Sequence, residues 1–139
     1  MDKKILVIDG QGGQLGSQIV KELLAKFPGV HITAVGTNAV ATASMIKAGA
    51  PNAATGENPV IVACRKADII GPIGIVIADA LLGEVTPAMA VAVGQADATR
   101  ILIPMNKCEN MVAGVSSLST TTLIQDAISK VGQYFSKSC

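Results

Sequence analysis

The sequence ILVIDGQGGQLGSQIVKELL, at residues 5–24, predicts a strand, a glycine-rich loop and a helix in direct succession. Residues 5–8 form a continuous apolar run, which is typical of a strand that is covered on both faces of a parallel sheet. From Leu15 onward, apolar residues recur at intervals of three and four, as on the buried stripe of a helix. A strand, loop and helix in this order predict a nucleotide-binding α/β unit.

The alternation of strands and helices continues along the chain. Further strands are predicted at residues 31–35, 68–70 and 100–104, and further helices at residues 39–48, 60–64, 88–93 and from Ser119 or Thr120 onward. Asn58-Pro59 and Thr86-Pro87 each place a capping residue before a proline, which predicts a helix start. We predict an α/β fold, a Rossmann-like three-layer sandwich whose parallel sheet of about four or five strands has helices on both faces. Residues 1–139 are interpreted as a single domain.

The overall composition indicates some partners and excludes others. Half of the 139 residues are hydrophobic and only 15% are charged, so we expect some apolar surface to be covered in a homo-oligomer. The 11 basic and 10 acidic residues are scattered, and with 2% aromatic residues there are few rings on which bases could stack. We therefore expect no nucleic acid among the partners.

The cysteines and the apolar stretches bear on the cellular compartment. Cys64, Cys108 and Cys139 are widely separated and form no C-x-x-C pair, so neither a disulfide framework nor a metal site is expected. The most apolar region, residues 69–93, contains prolines, glycines and acidic residues that a membrane-spanning helix would rarely combine. We expect a cytoplasmic protein without a membrane partner.

The loop between the first strand and the first helix is the predicted phosphate site. Its glycines Gly10, Gly13 and Gly16 have the spacing G-x-x-G-x-x-G, similar to the loop of extended short-chain dehydrogenases, and Gly12 also permits a G-x-G reading. Glycines in this position allow a sharp turn and the close approach of a pyrophosphate to the N-H groups of the helix. We expect a nucleotide, NADP or NAD, or another phosphorylated small molecule to place its phosphates on Gly10, Gln11, Gly12, Gly13, Gln14, Leu15 and Gly16. A glycine-rich turn without a ligand is the alternative.

The end of the second strand lacks the acidic residue that usually holds an adenosine ribose. Thr37 and Asn38 stand there, and their side chains could hydrogen-bond a ribose or a 2′-phosphate. The other interpretation is that Asn38 caps the second helix. The choice between NAD and NADP therefore stays open.

The catalytic pair of the short-chain dehydrogenases is missing. Those enzymes use a tyrosine and a lysine four residues apart, whereas Tyr134, the only tyrosine, is followed by Lys137 after three residues. We place both residues in a polar C-terminal tail. The sequence consequently supports nucleotide binding more strongly than oxidoreduction, and no catalytic residue is assigned.

Other residues of interest follow the predicted strands, because open parallel sheets bind ligands beyond the carboxyl ends of their strands. Gly71, Pro72 and Asn106 are added to the candidate site on this ground. Glu57 is either an acid-base group or a carboxylate that complements a helix N-terminus. Cys108 is a weak candidate for a nucleophile.

Three further polar residues stand outside the candidate site. Asp79 and Glu84 interrupt an apolar region, so they must be paired, exposed or functional, and we favour exposure at a helix boundary. His31 begins a strand at the opposite edge of the sheet from the candidate site, which excludes histidine-based catalytic triads.

Five separated blocks of the chain carry a family resemblance. They are VIDGQGGQLGSQIV (7–20), VGTNAVATASM (35–45), ATGENP (54–59), ADIIGPIGIVIADALLGEVTPAMA (67–90) and RILIPMNKCENMVAGV (100–115). Together they resemble a small bacterial family of domains of unknown function (number 3842). The resemblance implies a Rossmann-like fold and brings no activity, substrate or catalytic residue.

Three functional hypotheses follow. The first is nucleotide binding at the glycine loop, which a Gly13→Asp variant is expected to abolish. The second is a small enzyme that acts on a phosphorylated metabolite through Glu57, Asn106 or Cys108. The third is a non-catalytic structural or regulatory module whose second helix and residues 75–93 build a homo-oligomer.

Overall fold

The protein is described here by a computed structural model, which covers residues 3–105, 110–116 and 118–137. The strands are β1 (Lys4–Asp9), β2 (His31–Gly36), β3 (Asn52–Thr55), β4 (Asp68–Pro72) and β5 (Arg100–Ile103). The helices are α1 (Gln14–Lys26), α2 (Ala39–Lys47), α3 (Glu57–Ala63), α4 (Pro87–Gln95) and α5 (Thr120–Lys137). A 3₁₀ turn (Ile73–Val76) follows β4.

All strand pairs of the sheet are parallel, in the order β3-β2-β1-β4-β5. The chain runs outward from β1 to β3 and then returns to the other side of β1 with β4. Ligands of open α/β sheets bind beyond the carboxyl ends of the strands at such a reversal. The predicted α/β fold with a parallel sheet is confirmed, and the reversal lies beside the glycine loop.

The sheet has an apolar core on each face. Val7 packs with residues of α1, α2 and α5 on one face, whereas Leu6 and Ile8 pack with residues of α3 and α4 on the other. Because neighbouring side chains of a strand point to opposite faces, the central residues 5–8 of β1 are all apolar. This explains the continuous run that predicted a covered strand.

The edge strand β3 was not predicted from the sequence. Its residues, NAAT, are mostly exposed and include no buried side chain. It pairs with β2 from Thr33↔Asn52 to Gly36↔Thr55, and this backbone pairing defines the strand. Side-chain patterns carry little information about a strand of this kind.

Three boundaries also differ from the predictions. Helix α3 begins at Glu57 after Gly56, whose φ is 105°, so Asn58 lies inside the first turn and is not the cap. Gly71 and Pro72 belong to β4 and do not follow it. Tyr134 lies in α5, where its ring is 6.2 Å from that of Phe135, so the prediction of a polar tail was wrong.

Other boundary signals are confirmed. Thr86 caps α4 by accepting a hydrogen bond from the Met89 N-H, with Pro87 in the first turn. Ser119 accepts a hydrogen bond from the Thr122 N-H at the start of α5.

Within the described residues, no helix is both long and apolar enough to cross a membrane.

Candidate functional site

The glycine loop makes a tight turn between β1 and α1. Gly13 has a φ of 75°, in the left-handed region that favours glycine, and its N-H donates to the Gly10 carbonyl at 2.9 Å. A Cβ on Gly13 would lie 2.7 Å from the Cα of Ala41, and one on Gly16 would lie 2.8 Å from the Cβ of Asp9. Gly13 therefore allows α1 to approach α2, and Gly16 allows it to approach β1.

Asp9, the last residue of β1, is buried beneath this loop. Its two carboxylate oxygens accept hydrogen bonds from the Gly10 N-H at 2.8 Å and the Gly16 N-H at 2.6 Å. Burial raises the pKa of Asp9, the two backbone N-H groups oppose that shift, and the charge of Glu84 adds to it. Asp9 therefore satisfies one of the N-H groups in the first turn of α1 from within the protein.

Glu84 reaches the same loop from the segment between β4 and α4. Its Oε1 accepts hydrogen bonds from the Gln11 N-H at 2.8 Å, the Thr37 hydroxyl at 2.6 Å and the Asn38 amide at 2.8 Å. Partial burial raises the pKa of Glu84, but these three bonds outweigh it, so the pKa lies below its ordinary value. The expectation that Glu84 is exposed at a helix boundary was wrong, because it joins three segments at the mouth of the sheet.

The segment that carries Glu84 has an unusual backbone. Asp79, Leu81 and Leu82 have φ values of 67°, 57° and 57°, and Gly83 has a φ of 86°. Few L residues adopt such values without support from their surroundings. Hydrogen bonds from the Asp79 N-H to the Val85 carbonyl and from the Gly83 N-H to the Asp79 carbonyl close the turn. The turn presents Glu84 to the loop, whereas Asp79 is exposed as expected.

Thr37 and Asn38 are the residues that the sequence offered for ribose recognition. The Asn38 Oδ1 accepts a hydrogen bond from the Ala41 N-H at 2.8 Å, so Asn38 does cap α2. Its Nδ2 contacts both Glu84 and the Gln11 carbonyl, and the Thr37 hydroxyl donates to Glu84. A ribose at this position would share these groups with the Glu84 carboxylate.

A cavity of about 340 Å³ borders the glycine loop, and its lining does not include Glu84, Thr37 or Asn38. It is bounded by the loop, the first turns of α1, the segment after β5 and the start of α5. Its lining comprises Asp9, Gly10, Gln11, Gly12, Gly13, Gln14, Leu15, Gln18, Met105 and Thr120. The backbone N-H groups of Gly12, Gln14 and Leu15 have no acceptor in the described part of the chain. Three residues with such backbone donors therefore line a space that can hold a small ligand.

Among the described residues, Gly71, Pro72, Glu57 and His31 do not line this cavity. Gly71 packs against β1, where a Cβ would lie 2.4 Å from the Ile8 carbonyl oxygen, and Pro72 is buried beside it. Glu57 accepts a hydrogen bond from the Thr86 hydroxyl at 2.6 Å in the first turn of α3. His31 pairs with Lys4 at the opposite edge of the sheet, as expected. Asn106 and Cys108 lie outside the described residues.

Metal and thiol chemistry have little support in the described ranges. No three His, Cys, Asp or Glu side chains come together there in a group that could hold a metal ion. Cys64 is buried on the α3 side of the sheet, and burial raises the pKa of its thiol.

A family model described as a domain of unknown function (DUF3842) matches residues 4–136 of the chain. The chain belongs to this family. The match includes all five strands and nearly the whole of α5, so the family and the fold described above coincide. A search of curated proteins finds no significant match.

Among solved structures, the chain is similar to a dodecameric FMN-dependent Ubix-like decarboxylase from Escherichia coli O157:H7. The identity is 19% and the TM-score is 0.39, and the alignment covers 92% of this chain and 76% of that one. At this level of similarity, FMN and the dodecameric assembly are properties of that enzyme alone.

Proposed function

We propose that the protein binds a phosphorylated small molecule in the cytoplasm, with a phosphate at the N-terminus of α1. The observation that carries this proposal is the cavity of about 340 Å³ whose lining includes Gly12, Gln14 and Leu15, three residues whose N-H groups have no acceptor in the described residues. Donors fixed by the backbone need no reorganisation to meet a phosphate oxygen, and the dipole of the 13-residue helix favours a negative charge there. The volume lies within the range of small-ligand pockets.

The two carboxylates narrow the class of ligand. Asp9 already holds the Gly10 and Gly16 N-H groups, and Glu84 holds that of Gln11. The loop therefore offers donors to one phosphate more readily than to a whole pyrophosphate. We rank a mononucleotide or a phosphorylated metabolite before NADP or NAD, because the adenosine half of a dinucleotide would compete with Glu84 for Thr37 and Asn38.

The polar side chains on the rim supply recognition beyond the phosphate. Gln14, Gln18 and Thr120 line the cavity and can exchange hydrogen bonds with a ribose, a sugar or an amide. Met105 provides an adaptable apolar wall. Within this set the only ionisable side chain is that of Asp9, so the proposed function is binding and assigns no general acid, base or nucleophile.

The test is a thermal-shift screen with inorganic phosphate, AMP, ADP, NAD, NADP and sugar phosphates, followed by calorimetry on each compound that stabilises the protein. The most direct variant is Gly12→Asp, because a Cβ on Gly12 meets no atom within 4 Å and the new carboxylate would border the cavity. Gly13→Asp tests the site less cleanly, since its Cβ would meet the backbone of Ala41.

The matched control is Gly12→Asn, which has the same shape without the charge. We expect Gly12→Asp to weaken binding at least about tenfold relative to Gly12→Asn through repulsion between two anions. Equal affinities for the wild type and both variants would place the ligand elsewhere. An absence of stabilisation by every phosphorylated compound would reject the proposal.

A second candidate is a non-catalytic module that forms a homo-oligomer. Several large apolar side chains are exposed, among them Val40 at 65%, Ile46 at 53% and Leu82 at 94%. Val40 and Ile46 lie on α2, and Leu82 lies in the turn before Glu84. Both regions were expected from the sequence to build an assembly. Light scattering over a range of concentrations tests this candidate, and a strictly monomeric protein would count against it.

A further inference from the structure

A second cavity, of about 450 Å³, lies on the α3 side of the sheet. Its floor is formed by β1, β2 and β3, and its wall by α3 and the residues that follow it; its lining comprises Lys4, Ile5, Leu6, His31, Thr33, Val35, Asn52, Ala54, Pro59, Val62, Ala63, Lys66 and Ala67. We call this cavity the α3 groove. It shares no lining residue with the cavity at the glycine loop.

The α3 groove exists because the fold leaves this part of the sheet partly uncovered. Helix α3 has only seven residues, about two turns, and cannot cover the outer strands along their length. Small side chains face the open part, where Thr33 and Ala54 stand on neighbouring strands. Thr33 and Ala54 are only half-buried, so the core ends at this point and the groove opens to the surface.

The lining of the α3 groove combines an apolar surface with basic groups. Ala54, Pro59 and Val62 contribute accessible apolar side chains, while Lys4 and Lys66 contribute ammonium groups and no lining residue is acidic. Neither lysine forms a salt bridge or a side-chain hydrogen bond with a described residue. An apolar body with one anionic group complements this surface in both shape and charge.

An adjoining cleft of about 300 Å³ extends the basic rim. Lys4 and Lys66 line it together with Lys3 and Arg65, whereas its acidic members are Asp68 and Asp97. Asp68 is already engaged, since its carboxylate accepts a hydrogen bond from the Thr99 N-H at 2.9 Å. The positive charge at this end of the sheet therefore exceeds the negative charge and favours an anionic head group.

We propose that the α3 groove binds a small amphipathic carboxylic acid, with its apolar body against Ala54, Pro59 and Val62 and its carboxylate between Lys4 and Lys66. The volume lies within the range of small-ligand pockets. Since the groove and the glycine loop are separate, this site is independent of the proposed phosphate site. An acid bound here and a phosphorylated ligand at the loop can occupy the protein together.

The experiment measures decanoate binding to the full chain by calorimetry and by displacement of the anionic dye 8-anilinonaphthalene-1-sulfonate. Ala54→Leu fills the groove, and Ala53→Leu is its matched control, because Ala53 is the neighbouring residue of the same strand and does not line the groove. Lys66→Glu reverses a charge at the rim, and Lys47→Glu is a control on α2. Decanol tests the need for the anionic group.

We expect one decanoate per chain, with affinity at least about tenfold weaker in Ala54→Leu and about fivefold weaker in Lys66→Glu, and unchanged in both controls. Decanol should bind more weakly than decanoate. Circular dichroism verifies that each variant folds. If Ala54→Leu does not fold, the test depends on Lys66→Glu. Binding that is absent, or equally affected by Ala53→Leu and Ala54→Leu, would overturn the proposal. So would a dimer that dissociates in Ala54→Leu while decanoate does not bind, because a second copy would then occupy the groove.

Discussion

Replacing Glu84 by alanine removes three hydrogen bonds that meet at one carboxylate oxygen. The donors belong to Gln11, Thr37 and Asn38, at 2.8, 2.6 and 2.8 Å. Buried bonds to a charged group contribute about 1.5–3 kcal/mol each, but Glu84 is only half-buried and water can reach the donors that it leaves. With about 1 kcal/mol for each bond, we expect Glu84→Ala to lower the free energy of unfolding by about 2–3 kcal/mol at neutral pH.

The conservative variant Glu84→Gln separates hydrogen bonding from charge. Its amide oxygen still accepts the three bonds, but bonds to a neutral acceptor are about half as strong. We expect a loss of about 1–1.5 kcal/mol. The matched control is Asp79→Asn, which removes an exposed carboxylate from the same turn and keeps a residue that tolerates the φ of 67°.

The assay is urea unfolding followed by circular dichroism, at one protein concentration for all variants. The effect should depend on pH in a defined direction. Because the pKa of Glu84 in the folded protein is below 4.5, its stabilisation is complete above pH 4.5 and is lost as the pH falls through the folded pKa. If Glu84→Ala unfolds like Asp79→Asn, or within about 0.5 kcal/mol of the wild type at neutral pH, Glu84 does not fasten the loop.

Three further predictions concern the loop and the core. Asp9 should show the opposite pH dependence from Glu84. Because the pKa of Asp9 in the folded protein exceeds 3.8, its contribution to stability falls as the pH rises from 3.8 through the folded pKa. Urea unfolding of Asp9→Asn should show no such decline. Gly13→Ala should lower the free energy of unfolding by about 2 kcal/mol or more. Gly12→Ala should lower it by less than about 1 kcal/mol, because a Cβ on Gly12 meets no neighbour within 4 Å. Equal losses in the two variants would contradict the packing described. Cys64 should react with iodoacetamide only when the chain unfolds, because it is 3% exposed and burial raises its pKa; rapid labelling of the native protein, detected by mass spectrometry, would refute this.

The features that could be predicted from the sequence are those with a local signature. The apolar run of β1, the glycine loop and the caps Asn38 and Thr86 each depend on neighbouring residues, so their patterns can be recognised along the chain. The cavity at the start of α1 is lined by residues of this loop, whereas phosphate binding there stays a prediction.

The features that were missed depend on contacts between distant residues. Glu84 is 73 residues from Gln11 and 47 from Thr37, and nothing in its own neighbourhood indicates that it meets the loop. The only sequence signal was an acidic residue in an apolar region. Strand β3 was missed because its side chains are small or polar and its pairing with β2 is made by the backbone.

The most direct test of the phosphate proposal is a titration of ¹⁵N-labelled protein with inorganic phosphate and with AMP, followed by amide chemical shifts. If the N-terminus of α1 holds a phosphate, the amide signals of Gly12, Gln14 and Leu15 will show the largest saturable shifts. The Gly10 and Gly16 amides, which Asp9 already engages, will move less. Saturable shifts that leave Gly12, Gln14 and Leu15 unchanged, or no shifts with either compound, would contradict the account.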